Sequence, residues 1–313
     1  MSALPTSMTP LTVTVERLSV TGREGFRLDV PSLSFEPGTI TAIIGCNGSG
    51  KSTLLDAILG LRPVTGGCCR IAGIDLGKAA PHHPVRRLLG AQIQGATWNP
   101  AMLVREILSV HRVVYHTQNA AILDALGIGA IWQRSYRRLS TGERRRVDLA
   151  VALAHLPQVV FLDEPASGLD SAREKEFHQI LLNVRQRGGI VIMASHSPAD
   201  LALSDRIIWL AKGRIERDSS LHALLMDLIG DVVGQLELSD DADIASVRSA
   251  IGPLARSLVQ RGQTLIVSGG RELREALTSE TVSRKAVSLS IRPSTAADLL
   301  ALVSADSASA DER

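Results

Sequence analysis

Three short runs of consecutive apolar residues punctuate the sequence. They lie at residues 40–45 (ITAIIG), 159–163 (VVFLD) and 189–196 (GIVIMASH). Runs of this length without polar alternation are typical of strands buried on both faces in a parallel sheet. Residues 11–20 (LTVTVERLSV) and 26–35 (FRLDVPSLSF) instead alternate between apolar and polar positions, which indicates strands with one exposed face. The chain is therefore expected to combine buried parallel strands with an antiparallel β portion.

A helical pattern follows the first buried run and returns later over a long segment. Residues 51–61 (KSTLLDAILGL) place one apolar stripe on the helix, as an amphipathic helix does, with Leu54, Leu55, Ile58 and Leu59 on it. From about Val104 to Leu156 the apolar spacing is mostly helical, whereas the Gly- and Pro-rich residues 60–88 are interpreted as connections. The order of elements predicts an α/β fold with an antiparallel β subdomain and an inserted helical subdomain.

The charge balance changes near residue 219 and suggests a domain boundary there. Residues 1–218 carry 25 Lys and Arg against 19 Asp and Glu, and residues 219–313 carry 9 against 13. Beyond the boundary, strand and helix patterns alternate, including a helix expected over 244–259, and predict a small C-terminal α+β module. The expected organisation is a disordered N-terminus (1–9), a first domain (10–218) with its helical subdomain at about 95–156, an α+β domain (219–303) and a disordered tail (304–313).

Composition narrows the possible functions. The net charge of +2 is too small to argue by itself for a nucleic-acid-binding protein. Three cysteines cannot form a disulfide framework and suit a reducing compartment. The start MSALPTSMTP lacks the pattern of a secretory signal, and polar residues interrupt the best apolar run, at 147–162. We expect a soluble chain, so that action at a membrane would require another chain to supply the spans.

The first buried run leads directly into a phosphate-binding motif. GCNGSGKST matches G-x-x-x-x-G-K-[ST] between a predicted strand and a predicted helix. Glycines let successive backbone N–H groups turn inward toward phosphate oxygens, and the helix N-terminus adds partial positive charge. Lys51 is expected to reach the β- and γ-phosphates, and the Ser52 hydroxyl to ligate Mg²⁺. The nucleotide-binding residues predicted here are Gly45, Cys46, Asn47, Gly48, Ser49, Gly50, Lys51, Ser52 and Thr53.

Two adjacent carboxylates end the second buried run. Asp163 is the last residue of VVFLD, and Glu164 follows it. An aspartate at a strand end, paired with an upstream P-loop, can hold the Mg²⁺ shell, and the next carboxylate is placed to act as general base on an attacking water. Together with Lys51, the pair predicts hydrolysis of a nucleoside triphosphate.

The run at residues 139–170, LSTGERRRVDLAVALAHLPQVVFLDEPASGLD, resembles the core of the ATP-binding cassette (ABC) ATPase family. That family has a Leu-Ser-Gly-Gly-Gln signature shortly before the strand that ends in the Mg²⁺-binding aspartate. Gln94 resembles the glutamine of the Q-loop, residues 167–170 resemble the D-loop, and His196 resembles the switch histidine. The motifs follow the family's order over roughly residues 11–218, so the resemblance implies a P-loop NTPase fold of ABC type.

The resemblance also implies ATP and Mg²⁺ as cofactors and a second cassette as partner. In the family, two cassettes face each other head to tail, and each ATP lies between the P-loop of one subunit and the signature of the other. Ser140, Gly142 and Glu143 would then contact the ATP of the facing subunit, and Asp170 would cross the interface near it. Gln94 would help Ser52 and Asp163 to ligate Mg²⁺, and His196 would contact the γ-phosphate. The implied catalytic residues are Glu164, His196, Gln94 and Lys51.

Two signature positions depart from the family pattern. Thr141 replaces the first glycine, and Glu143 replaces the usual glutamine and brings negative charge toward an anionic ligand. Ser140 and Glu143 also spell an S-x-x-E capping box at a predicted helix start, and we expect the arginines at 144–146 to offset the charge of Glu143. The site is therefore interpreted as competent, with the effect of both replacements on turnover left open.

Apolar residues near the motifs leave two further questions open. The family's adenine-stacking aromatic has no counterpart at residues 20–22, and Phe26, the nearest aromatic, either stacks on adenine or packs in the core. After the Q-loop, Trp98, Met102 and Leu103 either form a docking surface for a membrane subunit or pack the helical subdomain.

The C-terminal sequence SLSIRPSTAADLLALV (288–303) resembles, more weakly, the tail of ABC-2-type exporter ATPases. The implied protein is the ATP-binding and ATP-hydrolysing subunit of an ABC transporter, expected to be an exporter, peripheral on the cytoplasmic face of the cell membrane. Expected partners are separately encoded transmembrane permease subunits and a second ABC ATPase subunit, in a homodimer or heterodimer, with no nucleic acid. The alternative is a soluble ABC ATPase acting on nucleic acid or the ribosome, although such proteins usually carry two cassettes or long coiled-coil insertions.

Overall fold

The computed structural model describes residues 11–22, 25–95, 98–239 and 244–311, without the side chains of 281, 283 and 306–311. The chain divides into two units, Met1–Asp218 and Ser219–Arg313. The N-terminus predicted to be disordered, residues 1–9, lies outside the described residues, as do residues 312–313 of the tail.

Strands and helices alternate along the first unit. Its strands are β1 (Val13–Thr21), β2 (Arg27–Phe35), β3 (Thr39–Ile44), β4 (Gly66–Ile71), β5 (Leu89–Gln92), β6 (Val159–Asp163), β7 (Ile190–Ala194), β8 (Arg206–Ala211) and β9 (Arg214–Ser219). Its α-helices are α1 (Lys51–Ile58), α2 (Val104–Tyr115), α3 (Ala120–Ala125), α4 (Thr141–Leu153), α5 (Ser171–Gln186) and α6 (Pro198–Leu203). Short 3-10 helices lie at Pro84–Leu88, Ile128–Ile131 and Tyr136–Arg138.

A six-stranded sheet in the order β5-β6-β7-β3-β8-β9 forms the centre of this unit. The first five of these strands run parallel, and every residue of β6 and β7 is buried. The continuous apolar runs therefore predicted the buried strands correctly, and the α/β fold is confirmed. Because parallel neighbours end at the same edge of a sheet, the segments that follow β3, β6 and β7 lie side by side.

The predicted antiparallel portion is a three-stranded sheet in the order β2-β1-β4. Arg17 has φ 46°, and the β1–β4 register shifts around it, so the apolar alternation of β1 changes phase at this bulge. β4 lies inside the segment 60–88, where connections around CCRIAGIDLG are expected, and that interpretation is wrong for Gly66–Ile71. In β4 only Cys69 and Ile71 are buried, so the strand depends on its pairing with β1 more than on a pattern of its own.

A pair of buried histidines joins the helical segment to the central sheet. His111 on α2 and His155 after α4 are 3% and 7% exposed, and His111 Nε2 lies 3.1 Å from His155 Nδ1. His155 Nε2 donates to the carbonyl oxygen of Leu89 at 2.8 Å, so its Nδ1 is the acceptor for His111. Burial, followed by the charge of His155, lowers the pKa of His111 to about 4, and burial lowers the pKa of His155. Both rings are therefore neutral near pH 7.

Acid is expected to destabilise the first unit through this pair. His111 has a pKa of 6.5 in the unfolded chain and about 4 in the fold, so the unfolded chain binds more protons between those values. The contribution of His111 to the free energy of unfolding is complete above about pH 6.5. It falls as the pH drops toward 4, by up to about 3 kcal/mol. Calorimetric unfolding midpoints should show this fall, and His111→Gln should flatten it. His82→Gln, at an exposed position, is the control, and equal slopes in the two variants would contradict the assignment.

The second unit is an antiparallel sheet with helices, as predicted for an α+β module. Its sheet order is β11-β12-β10-β13, and its elements are α7 (Leu221–Leu228), β10 (Val232–Leu238), α8 (Ile244–Ile251), β11 (Ala255–Arg261), β12 (Thr264–Gly269), α9 (Arg271–Thr278), α10 (Glu280–Ser283), β13 (Ala286–Pro293) and α11 (Ala296–Asp311), with a 3-10 helix at Gly252–Leu254. The helix expected over 244–259 is wrong in its second half. Gly252 and Pro253 end the helix because proline lacks an amide donor and clashes with the preceding turn, and the next residues pair with β12.

The disorder predicted for the tail is also wrong over residues 304–311, because α11 continues to Asp311. Asp298 secures the helix start by accepting hydrogen bonds from the Thr295 amide and hydroxyl, each at 2.8 Å. Alanine, which recurs through the tail, has the highest helix propensity, so a helix once nucleated extends through it. Among the described residues, no helix combines the length and apolarity needed to cross a bilayer.

Candidate nucleotide-binding and hydrolysis site

The P-loop connects the carboxyl end of β3 to α1. Gly45 begins it with φ 150°, and a Cβ there would lie 2.1 Å from the carbonyl oxygen of Leu210, so no other residue fits. The Gly213 amide, in the turn between β8 and β9, donates to the Ser49 carbonyl at 3.0 Å. This hydrogen bond ties the P-loop to that turn. Gly45, Ser49 and Gly50 are buried, Cys46, Ser52 and Thr53 are half-buried, and Asn47 and Gly48 are exposed.

Lys51 is the first residue of α1 and is only 6% exposed. Its Nζ donates to the carbonyl oxygens of Gly45 at 2.7 Å and Cys46 at 3.0 Å. Burial lowers the pKa of Lys51, and the negative charges of Glu164 and Asp163 act in the opposite direction. The ammonium group therefore lies within the P-loop and within electrostatic reach of both carboxylates, where a bound triphosphate would need positive charge.

Asp163 and Ser52 meet at the end of β6. Asp163 is 2% exposed, and burial raises its pKa while a hydrogen bond from the Ser52 hydroxyl lowers it. Within the described part of the chain, Asp163 Oδ1 has no hydrogen-bond partner. A buried carboxylate oxygen without a donor, beside a hydroxyl, fits a hard cation such as Mg²⁺.

Gln92 is a residue of this site that sequence reasoning missed. It ends β5, is 3% exposed, and its Oε1 accepts a hydrogen bond from the Asp163 amide at 3.3 Å. This contact holds the backbone from which the carboxylate extends. A polar residue between the apolar neighbours of a short buried strand was the available signal.

Glu164 leaves the sheet in a strained backbone conformation. Its φ is 52°, in the left-handed region that few residues other than glycine adopt, and its amide donates to the Ala194 carbonyl at 2.9 Å. His196 follows the neighbouring strand β7, and its Nε2 lies 3.9 Å from Glu164 Oε1, with the two side chains 39% and 34% exposed. Burial, then the charge of Lys51, lowers the pKa of His196, against the effect of the carboxylates. The imidazole is therefore neutral at pH 7.

A cavity of about 260 Å³ opens beside Glu164 and His196. Its lining residues are Glu164, Ala166, Ser167, Glu174, Ser195, His196 and Ser197. A water molecule occupies about 30 Å³ in the liquid, so the cavity has room for a water next to the Glu164 carboxylate. This arrangement is suited to proton removal from an attacking water.

Glu174, His178 and Asp200 form the cluster in this region with metal-ligand chemistry, with one ligand atom each within 4.8 Å of the others. Hydrogen bonds already satisfy it, because Asp200 Oδ1 lies 2.7 Å from His178 Nε2 and Oδ2 accepts from Ser195 at 2.5 Å. Both oxygens of the buried carboxylate thus have partners without a cation. The cluster is better explained as a network within the fold than as a metal site.

The signature residues form the N-terminus of α4. Ser140 Oγ accepts from the Glu143 amide at 3.2 Å, and Glu143 Oε2 accepts from the Ser140 amide at 2.9 Å, which is the predicted capping box. The Ser140 backbone is the largest influence that lowers the pKa of Glu143. Arg134 is the main ion-pair partner of Glu143, and Arg146 lies 3.8 Å from the same oxygen. The expectation that residues 144–146 offset this charge is therefore only partly right.

The arginine run around the signature is engaged within the chain. Arg144, Arg145 and Arg146 each donate to backbone carbonyl oxygens, at 3.2 to 3.4 Å, and Arg145 reaches the carbonyl of Asp163. Donors used in this way stabilise the fold around the signature helix. Of the five arginines in residues 137–146, Arg145 and Arg146 are half-buried, whereas Arg137, Arg138 and Arg144 are exposed.

Gly142 and Asp170 have local roles in addition to those implied by the family. A Cβ at Gly142 would lie 2.2 Å from the carbonyl oxygen of Gly168, so the signature helix contacts the D-loop of its own chain. Asp170 caps α5, where its Oδ1 accepts from the amides of Ala172 at 3.1 Å and Arg173 at 2.9 Å. A larger residue at 142 would displace one of the two segments.

Three other predicted residues lie at the margins of the site. Gln94 is exposed in the turn after β5. Phe26 is half-buried against the core, and its Cζ would lie 2.9 Å from a Cβ at Gly50, so the ring packs against the P-loop backbone. Trp98 is half-buried, and its indole donates to Asp148, whose pKa burial raises to about 6. The packing alternatives for Phe26 and Trp98 thus have contacts in their favour, and adenine stacking stays a prediction.

The predicted residues therefore fall into two clusters. Lys51, Asp163, Glu164 and His196 converge at the carboxyl edge of the central sheet, where β6 and β7 pair in register from Val159 to Asp163. Ser140, Gly142 and the D-loop form the second cluster, held together by the close contact at Gly142.

The profile of the ABC transporter family matches residues 28–167. A zinc import ATP-binding protein of Cereibacter sphaeroides is 37% identical over 60% of this chain and 74% of its own length. An uncharacterized ABC transporter ATP-binding protein of Mycobacterium tuberculosis is 34% identical over 65% of this chain and 88% of its own length. A molybdenum import ATP-binding protein of Mesorhizobium japonicum is 33% identical over 61% of this chain, and the match spans 54% of that protein.

Solved structures of ATP-binding cassettes are also similar to this chain. A dimeric ABC transporter cassette in a post-hydrolysis state, bound to ADP and Pi, matches with a TM-score of 0.59 at 25% identity, over 67% of this chain and 98% of that one. The ATP-binding subunit of an ABC transporter matches with a TM-score of 0.61 at 22% identity, over 69% of this chain and 92% of that one, which supports the fold. With its P-loop and adjacent carboxylates, the chain belongs to the ABC transporter family as an ABC ATPase.

Proposed function

We propose that this chain hydrolyses ATP as one cassette of a dimer and powers a membrane transporter that exports its substrate. The observation that carries the proposal is the convergence of Lys51, Asp163, Glu164 and His196 at one edge of the sheet, beside a cavity with room for a water molecule. An isolated P-loop binds phosphate, whereas this set also supplies a base and a second polar contact for hydrolysis.

Each member of the set has a distinct task in the proposed reaction. Glu164 accepts the proton of the attacking water, and Lys51 stabilises the negative charge on the β- and γ-phosphates. His196 donates a hydrogen bond from its imidazole to the γ-phosphate. Ser52, Asp163 and Gln94 would hold Mg²⁺, which neutralises phosphate charge when bound.

The second cassette is proposed to complete each site. Ser140 and Gly142 lie at the N-terminus of α4, where a helix carries partial positive charge that favours the phosphate of a facing subunit. Glu143 brings a negative charge to this end, but its pairing with Arg134 and the capping box offset it. We therefore expect Glu143 to leave the site competent, in either a homodimer or a heterodimer.

The membrane spans are proposed to come from separate permease subunits, with this chain at the cytoplasmic face. Trp98, Met102 and Leu103 are half-buried, and each therefore keeps some surface for a contact after the Q-loop. The net charge of +2 gives no support to the alternative of an ATPase that acts on nucleic acid or the ribosome.

The C-terminal unit is the basis for proposing export rather than import. Strand β13 ends at Pro293, Ser294 donates to the Gly230 carbonyl at 2.6 Å, and α11 follows, which is the strand, Pro-Ser and helix order that resembles exporter tails. Import is the second candidate, because two relatives are named as import ATP-binding proteins, for zinc and for molybdenum.

Deletion of the gene in its own cells separates the two directions. An exporter subunit predicts normal cellular zinc and molybdenum by mass spectrometry, together with higher retention of some members of a panel of fluorescent amphiphilic dyes. Complementation with the intact chain should restore dye efflux. Depletion of either metal with unchanged dye efflux would contradict export and favour import.

A further inference from the structure

Asp200 is a carboxylate that the tasks described above do not use. It lies in the first turn of α6, four residues after His196, and its exposed fraction is 0%. Its Oδ2 accepts a 2.5 Å hydrogen bond from Ser195 Oγ, and its Oδ1 lies 2.7 Å from His178 Nε2. A fully buried carboxylate is costly unless such donors satisfy it. The two contacts must therefore persist for this segment to keep its conformation.

The same contacts hold the backbone on both sides of His196. Ser195 Oγ donates to Asp200 and also accepts from the Ser197 amide at 2.9 Å. Ser197 Oγ in turn donates to Glu174 Oε1 at 3.3 Å. The residues directly before and after His196 are thus anchored to side chains on α6 and α5.

The His196 ring depends on this backbone for its position. Its side chain is 39% exposed, and its Nε2 is 3.9 Å from Glu164 Oε1, which is beyond hydrogen-bond distance. A group that must meet a phosphate oxygen needs placement to within a fraction of an ångström, and small displacements are costly to the rate. Anchoring of residues 195–197 can supply that placement.

We propose that Asp200, held by His178 and Ser195, positions the switch residue His196 for ATP hydrolysis. The inference rests on the role of His196 proposed above. Asp200 and His178 are positioning residues, because they act through His196. Since His178 lies on α5, and α5 begins after its cap Asp170, the network also links the position of His196 to the D-loop.

Removal of either donor to Asp200 tests the proposal. His178→Phe and Ser195→Ala each remove a donor to Asp200 and are each expected to lower kcat about tenfold, because a hydrogen bond to a buried charge corresponds to at least that factor. KM for ATP should stay within about twofold, since the P-loop is untouched. Ser195→Thr retains the hydroxyl that donates to Asp200, and its kcat is expected to match that of the native chain. Equal losses in the Ala and Thr variants, or a rise in KM that accounts for the loss, would overturn the proposal.

Combination with His196→Ala separates positioning from a general structural effect. If His178 acts through His196, then His178→Phe adds no further loss in the His196→Ala background, measured as single-turnover cleavage of labelled ATP. A further tenfold loss in that background would overturn the inference.

A matched control lies on the same helix. Arg185→Gln removes a 3.1 Å ion pair between α5 and Asp205, away from His196, and is expected to leave kcat unchanged. The two proposals fail differently in this set of variants. Unchanged hydrolysis in His196→Ala would refute the role of His196, whereas a loss there with none in His178→Phe would refute only the positioning network.

Discussion

Replacement of Glu164 by glutamine is expected to lower the rate of ATP hydrolysis by about 10²- to 10⁴-fold, the range that a general base supplies. Glutamine has nearly the same shape, so it should keep the backbone bond from residue 164 to Ala194 and tolerate the local strain as glutamate does. It cannot accept the proton of the attacking water. The P-loop, Lys51 and Asp163 are unchanged, so ATP binding should persist while turnover stops.

Two measurements check this result together. Phosphate release reports the loss of turnover, and size-exclusion chromatography with ATP should reveal a dimer that the native chain forms only transiently. Glu176→Gln removes an exposed carboxylate from α5 and serves as the matched control, with native turnover expected. Unchanged hydrolysis in Glu164→Gln would show that another group acts as the base, and His196 would then be the next residue to test.

The strands of the central sheet were predictable because the run of apolar residues that marks each of them lies within the strand itself and includes nearly every position. β3, β6 and β7 are buried on both faces, so almost every residue in them must be apolar, and the pattern does not depend on a partner's register. The P-loop was predictable for a related reason, since its glycines are required by backbone geometry, as the 2.1 Å approach of Leu210 to a Cβ at Gly45 illustrates.

The partners of individual side chains were less predictable, because they depend on tertiary proximity. Glu143 pairs with Arg134, nine residues earlier and on a separate turn, whereas five arginines lie nearer to it in the sequence. Gly142 faces Gly168, a contact that no spacing along the chain reveals. The His178–Asp200 bond joins two helices whose relative placement follows only from the folded sheet.

Element boundaries failed where local preferences competed. The order of apolar and polar residues at 255–261 suits either a helix or a strand. Pairing with β12 makes this segment a strand. The polar tail was expected to be disordered by composition, but its alanines favour continuation of α11. Both failures lie in the second unit, where the resemblance to exporter tails was weak, and neither affects the hydrolysis site.

Lys51→Ala is expected to lower the affinity for ATP by about 100-fold or more, the largest effect on binding that we predict. The ammonium group now donates to two P-loop carbonyls and lies near the negative charges of Asp163 and Glu164. Without it, a triphosphate would enter a loop flanked by two carboxylates and would lose the opposing charge of Lys51. The loss of two charge-assisted hydrogen bonds, each about 1.5–3 kcal/mol, corresponds to a factor of about 10² or greater.

Titration calorimetry with ATP and Mg²⁺ measures this loss directly, and Lys175→Ala, at an exposed position on α5, controls for the removal of one positive charge. ATP affinity should also distinguish the two main variants. Glu164→Gln is expected to bind ATP without hydrolysing it, whereas Lys51→Ala is expected neither to bind ATP tightly nor to hydrolyse it. Native affinity in Lys51→Ala would mean that the backbone amides and the helix N-terminus alone hold the phosphates. In that case the role of Lys51 would move from binding to stabilisation of charge during hydrolysis, and only kcat would fall.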